Sequence, residues 1–341
     1  MDSPLLADPG AVAADFPDAG VAAHYGDPFA EQRALDGTAG LVDRSNRDVL
    51  KITGADRLSW LNSLSTQKLD DLAVGGARQS LILSPHGHVE HHLSLVDDGV
   101  VTWIHTEPGE AGSLLEFLES MRFMLRVAAQ DATEDCAVLT LMGPQVTAEA
   151  AAGAGPAATM DFGFGTDLIV ERDRLEQAAA GLRDRGYLAA GMMAHEALRI
   201  AGHRARFGTD TDHRTIPHEV GWIESAVHLD KGCYRGQETV ARVHNLGHPP
   251  RRLVMLNLDG SENRLPEHGE PVRSGEAAVG FVGSSARHYE LGPIALALIK
   301  RTVPVDQTLD VSGISAAQEV IVPPDSGGNV KISIGRRRGP L

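Results

Sequence analysis

The sequence predicts an α+β fold in which α/β plait units are followed by a small C-terminal β-barrel. The 341-residue chain is roughly two to three times the usual domain length. Helical and strand periodicities alternate through the first two thirds without a regular βαβ repeat. Short strand-like segments separated by Gly and Pro fill the region after residue 253. With 42% hydrophobic and 23% charged residues, the composition is typical of a soluble globular protein.

The first α/β unit is predicted from a strand pattern that leads directly into a helix. Asp48 to Thr53 alternates as a strand, and Leu58, Leu61 and Leu64 then recur at helical spacing. Further strands are predicted at 79–83, 89–96, 100–105 and 125–129, with a helix at 108–121. Helices mixed with antiparallel strands favour an α+β plait over a doubly wound sheet.

The second unit begins with an apolar strand at 137–142. The segments that follow are an Ala-rich helix ending near 153, strands at 159–164 and 167–170, and helices at 173–185 and 189–200. The predicted division is a loose segment at 1–23, an N-terminal α+β part at 24–135, a central α+β part at 136–248, a β-barrel at 249–322 and a disordered tail at 323–341.

Charge and cysteine content make several function classes unfavourable. The chain has 31 Lys and Arg against 46 Asp and Glu, a net charge of −15, so it repels phosphate polymers and anionic membranes. Neither direct nucleic-acid binding nor membrane association is expected. Cys136 and Cys233 form neither a disulfide framework nor a CxxC metal pair, which favours a reduced, cytoplasmic setting.

The densest candidate site is the octapeptide KGCYRGQE at 231–238. Its motif residues are Lys231, Gly232, Cys233, Tyr234, Gly236, Gln237 and Glu238. Lys231 and Arg235 flank the Cys233 thiol, and nearby cations favour the thiolate. The glycines permit a tight turn, and the last two residues open a predicted helix. The same pattern also fits a surface turn with a half-buried cysteine, because no partner base accompanies the thiol.

This octapeptide matches the signature of the YgfZ proteins, and the chain resembles that family within the glycine cleavage T-protein superfamily. Supporting segments are HYG at 24–26, AGLVDRS at 39–45, ITGAD at 52–56, LRI at 198–200, FGTD at 207–210, PHEVG at 217–221, GEPV at 269–272, VGFV at 279–282 and IALA at 294–297. The resemblance covers residues 22–322. It implies a T-protein-like ring of three domains with folate in the central opening.

The resemblance implies a protein that binds tetrahydrofolate or a derivative and supports assembly or repair of iron–sulfur clusters in client enzymes. By family resemblance the clients include tRNA-modifying enzymes, and the expected partners are iron–sulfur client or assembly proteins. Cys233 is then the central, catalytic residue. Two alternatives stay open: a folate-dependent aminomethyl or one-carbon transferase, and a folate-gated scaffold without chemistry. Whether the protein is an enzyme stays open with them.

A folate pocket is expected to combine an apolar slot with guanidinium groups, because folate is a flat anion. The cofactor contacts are predicted to come from Arg199, Glu219, Arg235 and Arg242. They belong to a wider group of candidate arginines, which are Arg199, Arg204, Arg206, Arg214, Arg235 and Arg242. The sequence does not distinguish which of these converge.

Three features of the sequence limit the chemistry expected from the resemblance. His91 and His92 occupy the acidic catalytic position of T-proteins, and an imidazole cannot reproduce a carboxylate that holds a cationic amine. Ala201 stands where a pterin-facing glutamate is expected. The four histidines between 86 and 92 predict no metal site, because no cysteine or paired carboxylate completes a ligand set and Gly87 indicates a turn.

Overall fold

The computed structural model describes residues 1–328, apart from the Glu262 side chain. The first elements are β1 (Val12–Ala13), β2 (Ala22–His24), α1 (Pro28–Gly37), β3 (Gly40–Asp43), β4 (Asp48–Thr53), α2 (Arg57–Leu64), β5 (Ala77–Leu83), β6 (Val89–Asp97), β7 (Val101–Thr106), α3 (Ala111–Ser120) and β8 (Ala128–Asp131). The middle elements are β9 (Cys136–Met142), α4 (Ala148–Gly153), β10 (Ala158–Asp161), β11 (Thr166–Glu171), α5 (Leu175–Arg183), β12 (Leu188–Ala190), α6 (Met192–Ala201), α7 (Trp222–Ala226) and α8 (Gln237–Leu246). The last strands are β13 (Arg251–Leu258), β14 (Pro271–Ser274), β15 (Ala277–His288), β16 (Gly292–Lys300), β17 (Leu309–Val311) and β18 (Ile314–Val320). Single 3-10 turns lie at Pro4–Ala7, Arg172–Arg174, Pro217–Val220 and Gly260–Glu262.

Two five-stranded sheets form the α/β part of the molecule. The first has the order β5-β6-β7-β4-β8 and is antiparallel throughout. Helices α2 and α3 cover its outer face, where Leu61 and Leu114 pack with Leu50. The second has the order β10-β11-β9-β3-β12, in which only the β12–β3 pair is parallel. Helices α4 and α5 cover its outer face.

The inner faces of the two sheets pack against each other at one end. The residues of this inter-sheet core include Val49, Val96, Trp103, Cys136, Val138, Met160 and Ile169. Because strand side chains alternate between faces, each sheet contributes one row to this core and the other row to its covering helices.

The last six strands close into a barrel. Their order is β13-β16-β15-β14-β17-β18, and an apolar core that includes Leu256, Val282 and Ile314 fills it. Closure removes exposed sheet edges from this unit. The predicted α+β class with a C-terminal β-barrel is confirmed, since the barrel strands span 251–320 within the predicted 249–322.

The two predicted α+β parts are interleaved in the structure. Strand β3 falls in the predicted N-terminal part, yet it lies in the second sheet between β9 and β12. Its four residues, GLVD, are all buried. Such a strand carries no alternation, so the sequence pattern did not reveal it. Residues 188–190 form β12 beside it, and the helix predicted from 189 therefore begins at Met192.

The N-terminal segment 1–23 is not loose, as the composition suggested, but packs on the α/β part. Leu5 is buried in the core under the second sheet, and Val21 is fully buried. Ser3 donates a hydrogen bond to Asp43, and Asp18 pairs with Arg206. These contacts join residues that are far apart in the chain. A segment without hydrophobic periodicity gives no sequence signal from which such contacts could be predicted.

The chain beyond the barrel was predicted to be a disordered tail at 323–341. Residues 323–328 turn toward α8, where Gly328 N donates to Val243 O at 3.3 Å. Residues 329–341 lie outside the described residues. Among the helices of residues 1–328, none combines the length and apolar character required to cross a membrane.

Candidate functional site

A cavity of about 670 Å³ lies where the polar ends of both sheets meet α6 and the segment from 203 to 225. Its charged wall includes Arg44, Arg47, Glu107, Asp167, Glu196, Arg199, Arg204 and Arg206. Its histidines are His92, His105, His195, His203, His218 and His244. Aromatic side chains on the wall are Phe162, Phe164, Phe207 and Trp222. The volume and the mixed lining suit an organic ligand of moderate size.

Strand alternation explains why β6 supplies polar groups to this cavity. Leu93 and Leu95 face outward into the core beneath α2 and α3. His92 and Ser94 face inward and line the cavity. The inner face of the sheet is therefore apolar where it meets the second sheet and polar where the cavity opens between them.

Arg206 is at the centre of a buried ionic network in the cavity wall. Two of its nitrogens donate to Asp18 at 2.8 and 2.7 Å, and its Nε donates to Glu107 at 2.8 Å. Glu107 also accepts from Arg47 at 2.7 Å. Burial raises the pKa of Glu107, but Arg206 and Arg47 outweigh this effect and hold it far below its usual range.

The network continues through His105 to the second sheet. Arg47 Nε donates to His105 Nδ1 at 2.9 Å, so His105 donates from Nε2 to Asp167, also at 2.9 Å. Thr140 donates to Asp167 at 2.6 Å, and Arg44 pairs with it at 3.3 Å. Each side chain of this network has a partner, so the network fixes the shape of this part of the cavity.

Arg199 is buried on α6 and is fully engaged by protein groups. It donates to both carboxylate oxygens of Glu196 at 2.9 and 2.7 Å, and to Asp210 and Ser284, both at 2.7 Å. Burial raises the pKa of Glu196, but Arg199 and Arg206 hold it well below its usual range. Its guanidinium orients Glu196 at the cavity wall, and its contact with a cofactor stays a prediction.

Arg204 differs from the other arginines of the wall. Its guanidinium lies 4.8 Å from the ring centre of Phe164. The rings of Phe164 and His195 are in an edge-to-face arrangement with 5.6 Å between their centres. Burial lowers the pKa of Arg204, and no carboxylate within residues 1–328 forms an ion pair with it. The cavity thus presents a half-buried cation above an aromatic ring, an arrangement that suits an anionic ligand group.

The buried histidines of the wall are neutral near pH 7. Burial lowers the pKa of His92, His105 and His218 to about 4 in each case. It also lowers the pKa of His195. Neutral imidazoles offer one donor and one acceptor each, so they present hydrogen-bonding groups without charge.

The octapeptide loop is held by contacts other than those predicted for its cations. Lys231 Nζ donates to the carbonyl oxygens of Asn62, Ser65 and Gln67 at 2.5, 2.7 and 2.7 Å. It therefore caps the end of α2. Arg235 pairs with Glu90 at 2.9 Å. Carbonyl groups engage one cation and a carboxylate the other, and their effect on the Cys233 thiol stays a prediction.

Cys233 itself is exposed on this loop. Beside it, Gly232 is exposed, whereas Tyr234 is buried in the apolar core that contains Leu81 and Leu83. Gly236 has φ +82°, and a Cβ there would lie 2.6 Å from the Ser84 carbonyl oxygen, so the loop requires glycine at this point. The predicted helix opened by the last two motif residues is confirmed as α8.

Two domain models of one protein family match this chain. The GCVT N-terminal domain matches residues 6–166, and the glycine cleavage T-protein C-terminal barrel domain matches residues 251–334. The chain belongs to the glycine cleavage T-protein superfamily.

The alignments with curated relatives cover most of the length of this chain. An aminomethyltransferase from Nostoc sp. is 25% identical over 332 residues, covering 86% of this chain and 85% of the relative. An aminomethyltransferase from Synechococcus sp. (strain CC9311) is 27% identical over 308 residues, covering 79% and 81%. A putative chloroplastic transferase from Arabidopsis thaliana is 24% identical over 316 residues, covering 82% and 71%.

A solved structure confirms the T-protein-like fold. The crystal structure of glycine cleavage system aminomethyltransferase T from Bartonella henselae superposes with a TM-score of 0.79 at 18% identity. The match covers 96% of this chain and 98% of that one. At this identity the likeness establishes the fold alone.

Three residues predicted to contact a cofactor lie outside the cavity wall, and they are Glu219, Arg242 and the Arg235 described above. Glu219 is fully buried and accepts from the Arg251 side chain at 2.9 and 2.8 Å and from the Arg251 backbone at 3.1 Å. It therefore joins the Pro217–Val220 turn to the barrel. Arg242 is exposed on α8. The carboxylate of Glu219 is occupied by protein donors, which gives it a structural role, and its contact with a cofactor stays a prediction.

His91 and His92, which the resemblance places at the T-protein acidic position, lie on opposite faces of β6. His91 lies 3.0 Å from Glu110 on the helix-covered side. His92 stacks on Trp222 at 4.7 Å between ring centres and lines the cavity. Within residues 1–328, no group of three or more His, Cys, Asp or Glu side chains is arranged to hold a metal ion.

Several wall residues were not identified from the sequence. Glu196 had a usable signal, because its i, i+3 spacing to Arg199 on a predicted helix places both on one face. His218 lies in the PHEVG segment of the family resemblance, which did not mark it as a cavity residue. Trp222 had no signal, since it begins a short helix without periodicity. Their place in the cavity depends on tertiary packing.

Proposed function

We propose that the protein binds tetrahydrofolate, or a close derivative, in the cavity and supports assembly or repair of iron–sulfur clusters in client enzymes. The folate half rests on superfamily membership and on the Arg204 cation above Phe164. The iron–sulfur half rests on the KGCYRGQE resemblance, which assigns the functional thiol to Cys233. Client enzymes, including tRNA-modifying ones, are the corresponding partners. The cytoplasmic setting favoured by two unpaired cysteines fits this role.

The position of Arg204 in the cavity is the structural observation that supports folate binding most directly. A folate contains a flat ring system and an anionic glutamate tail, and the cavity combines aromatic side chains with this guanidinium. The other cations of the wall are already paired with buried carboxylates. The glutamate carboxylates are therefore assigned to Arg204, since charge-assisted hydrogen bonds are the stronger kind.

The first experiment measures folate binding by thermal shift and titration. Tetrahydrofolate at about 100 times its Kd adds about 2.7 kcal/mol to the free energy of unfolding, which raises Tm by a few degrees. We expect Arg204→Gln to weaken tetrahydrofolate binding about 10- to 100-fold, through loss of a charge-assisted contact. The amide of tetrahydropteroic acid, which lacks the glutamate and carries no carboxylate, is expected to bind wild type and variant equally.

Exposed Arg214 provides the matched control, and Arg214→Gln is expected to bind tetrahydrofolate as wild type does. The absence of any Tm shift at millimolar tetrahydrofolate would contradict folate binding. Equal tetrahydrofolate affinity in wild type and Arg204→Gln would instead contradict only the assignment of the glutamate tail.

Aminomethyl transfer is the second candidate function, because several relatives bear the name aminomethyltransferase. We expect no turnover with tetrahydrofolate and an aminomethyl donor. His92, at the T-protein acidic position, is a neutral imidazole that cannot hold a cationic amine as a carboxylate does. Turnover that His92→Phe abolishes and His91→Phe leaves intact would favour the transferase, since only His92 lines the cavity.

A further inference from the structure

His218 is a buried polar side chain that the proposed function does not yet use. It lies in the Pro217–Val220 turn, lines the cavity and is only 6% exposed. Neither ring nitrogen has a hydrogen-bond partner among the residues that the structure describes. The neighbouring Glu219 is anchored to Arg251, so the backbone of this turn is fixed from the opposite side.

Leaving two polar nitrogens buried without a partner is energetically unfavourable unless a ligand uses them. Burial, with a smaller contribution from the nearby His244 imidazole, lowers the pKa of His218 to about 4. At neutral pH the ring is therefore uncharged and offers one N–H donor and one lone pair. An unmade hydrogen bond in a buried site costs more than a made one contributes.

We propose that His218 is a ligand-binding residue that hydrogen-bonds an uncharged polar group of the bound folate, such as an amide or a ring nitrogen. This inference rests on the proposed folate function. Two chemically different side chains of the cavity wall would then bind different parts of the folate. Arg204 supplies a cation for carboxylates, whereas His218 supplies neutral donor and acceptor atoms. A neutral imidazole matches a neutral partner without the cost of burying a second charge.

The test compares wild type with His218→Leu, which removes both nitrogens, and His218→Gln, which retains a donor and an acceptor. Each is titrated with tetrahydrofolate and with the amide of tetrahydropteroic acid, which keeps the pterin ring and the amide but lacks the glutamate carboxylates. We expect His218→Leu to weaken both ligands about 3- to 10-fold, as for loss of a neutral hydrogen bond, and His218→Gln to recover most of this affinity. Without ligand, the Tm of His218→Leu should equal or exceed that of wild type, because no internal hydrogen bond is lost.

Several outcomes would overturn the inference. Equal affinities in wild type and His218→Leu would show that the imidazole does not contact folate. A loss confined to tetrahydrofolate would assign His218 to the glutamate tail instead. A Tm several degrees lower in both ligand-free variants would mean that the ring has a structural partner. If wild type binds neither ligand, both the proposed folate binding and this inference are wrong. The other three outcomes contradict only the role of His218.

Discussion

Cys233→Ala is expected to abolish support of iron–sulfur enzymes in a strain that lacks the wild-type protein. The proposal assigns the chemistry of the octapeptide loop to this thiol, and alanine cannot replace it. Because the side chain is exposed, the free energy of unfolding should change by less than about 0.5 kcal/mol. The measurements are client-enzyme activity in cells and urea unfolding of the purified variant. Together they separate loss of function from loss of fold.

Cys136 provides the matched control within the same chain. It lies in the inter-sheet core, and burial raises the pKa of its thiol. We expect Cys136→Ala to retain activity while costing about 1 kcal/mol of stability, as for removal of one buried heavy atom. Alkylation at neutral pH should label Cys233 first, because only that thiol is accessible.

Two results would contradict this assignment. Faster alkylation of Cys136 would mean that the exposed loop does not carry the reactive thiol. Full complementation by Cys233→Ala would favour a folate-gated scaffold without chemistry. Neither result would contradict the fold or the membership of the T-protein superfamily.

Much of the fold was predictable where periodicity is strong. The pattern gave β4 with its limits at 48 and 53 and gave α2 from its leucine stripe. It missed β3, which is buried on both sides and pairs with strands about a hundred residues away or more. It also missed α1, whose first turn is set by the side chain of Asp27 rather than by an apolar stripe.

The candidate site was less predictable than the fold, because side-chain type does not determine a side chain's partner. Of the candidate arginines, Arg199, Arg204 and Arg206 lie on the cavity wall. The same reasoning chose Arg235, which pairs with Glu90, and Glu219, which pairs with Arg251. Charged residues are placed by long-range partners that the local sequence does not encode.

Arg206→Met is expected to destabilise the protein by about 3 to 5 kcal/mol at pH 7, the usual cost of removing one partner from a buried ionic network. Arg206 is 7% exposed and Asp18 is 6% exposed, so the carboxylates left behind are poorly solvated. Wild-type Glu107 has a depressed pKa, which adds stability above its unfolded pKa of about 4.3. The deficit of the variant should therefore shrink as the pH falls below about 4. Urea unfolding at pH 7 and at pH 2.5 measures both effects.

The same substitution tests whether the N-terminal segment is part of the folded molecule. Asp18 is the contact of residues 1–23 with Arg206, so a double-mutant cycle of Asp18→Asn and Arg206→Met should give a coupling energy of about 1 to 3 kcal/mol. The exposed Arg214→Met should cost less than about 0.5 kcal/mol. A coupling energy near zero would contradict the buried pair and restore the loose segment that the composition suggested. A large coupling would mean that removing residues 1–23 also weakens the cavity wall, because Glu107 and Glu196 share the same guanidinium.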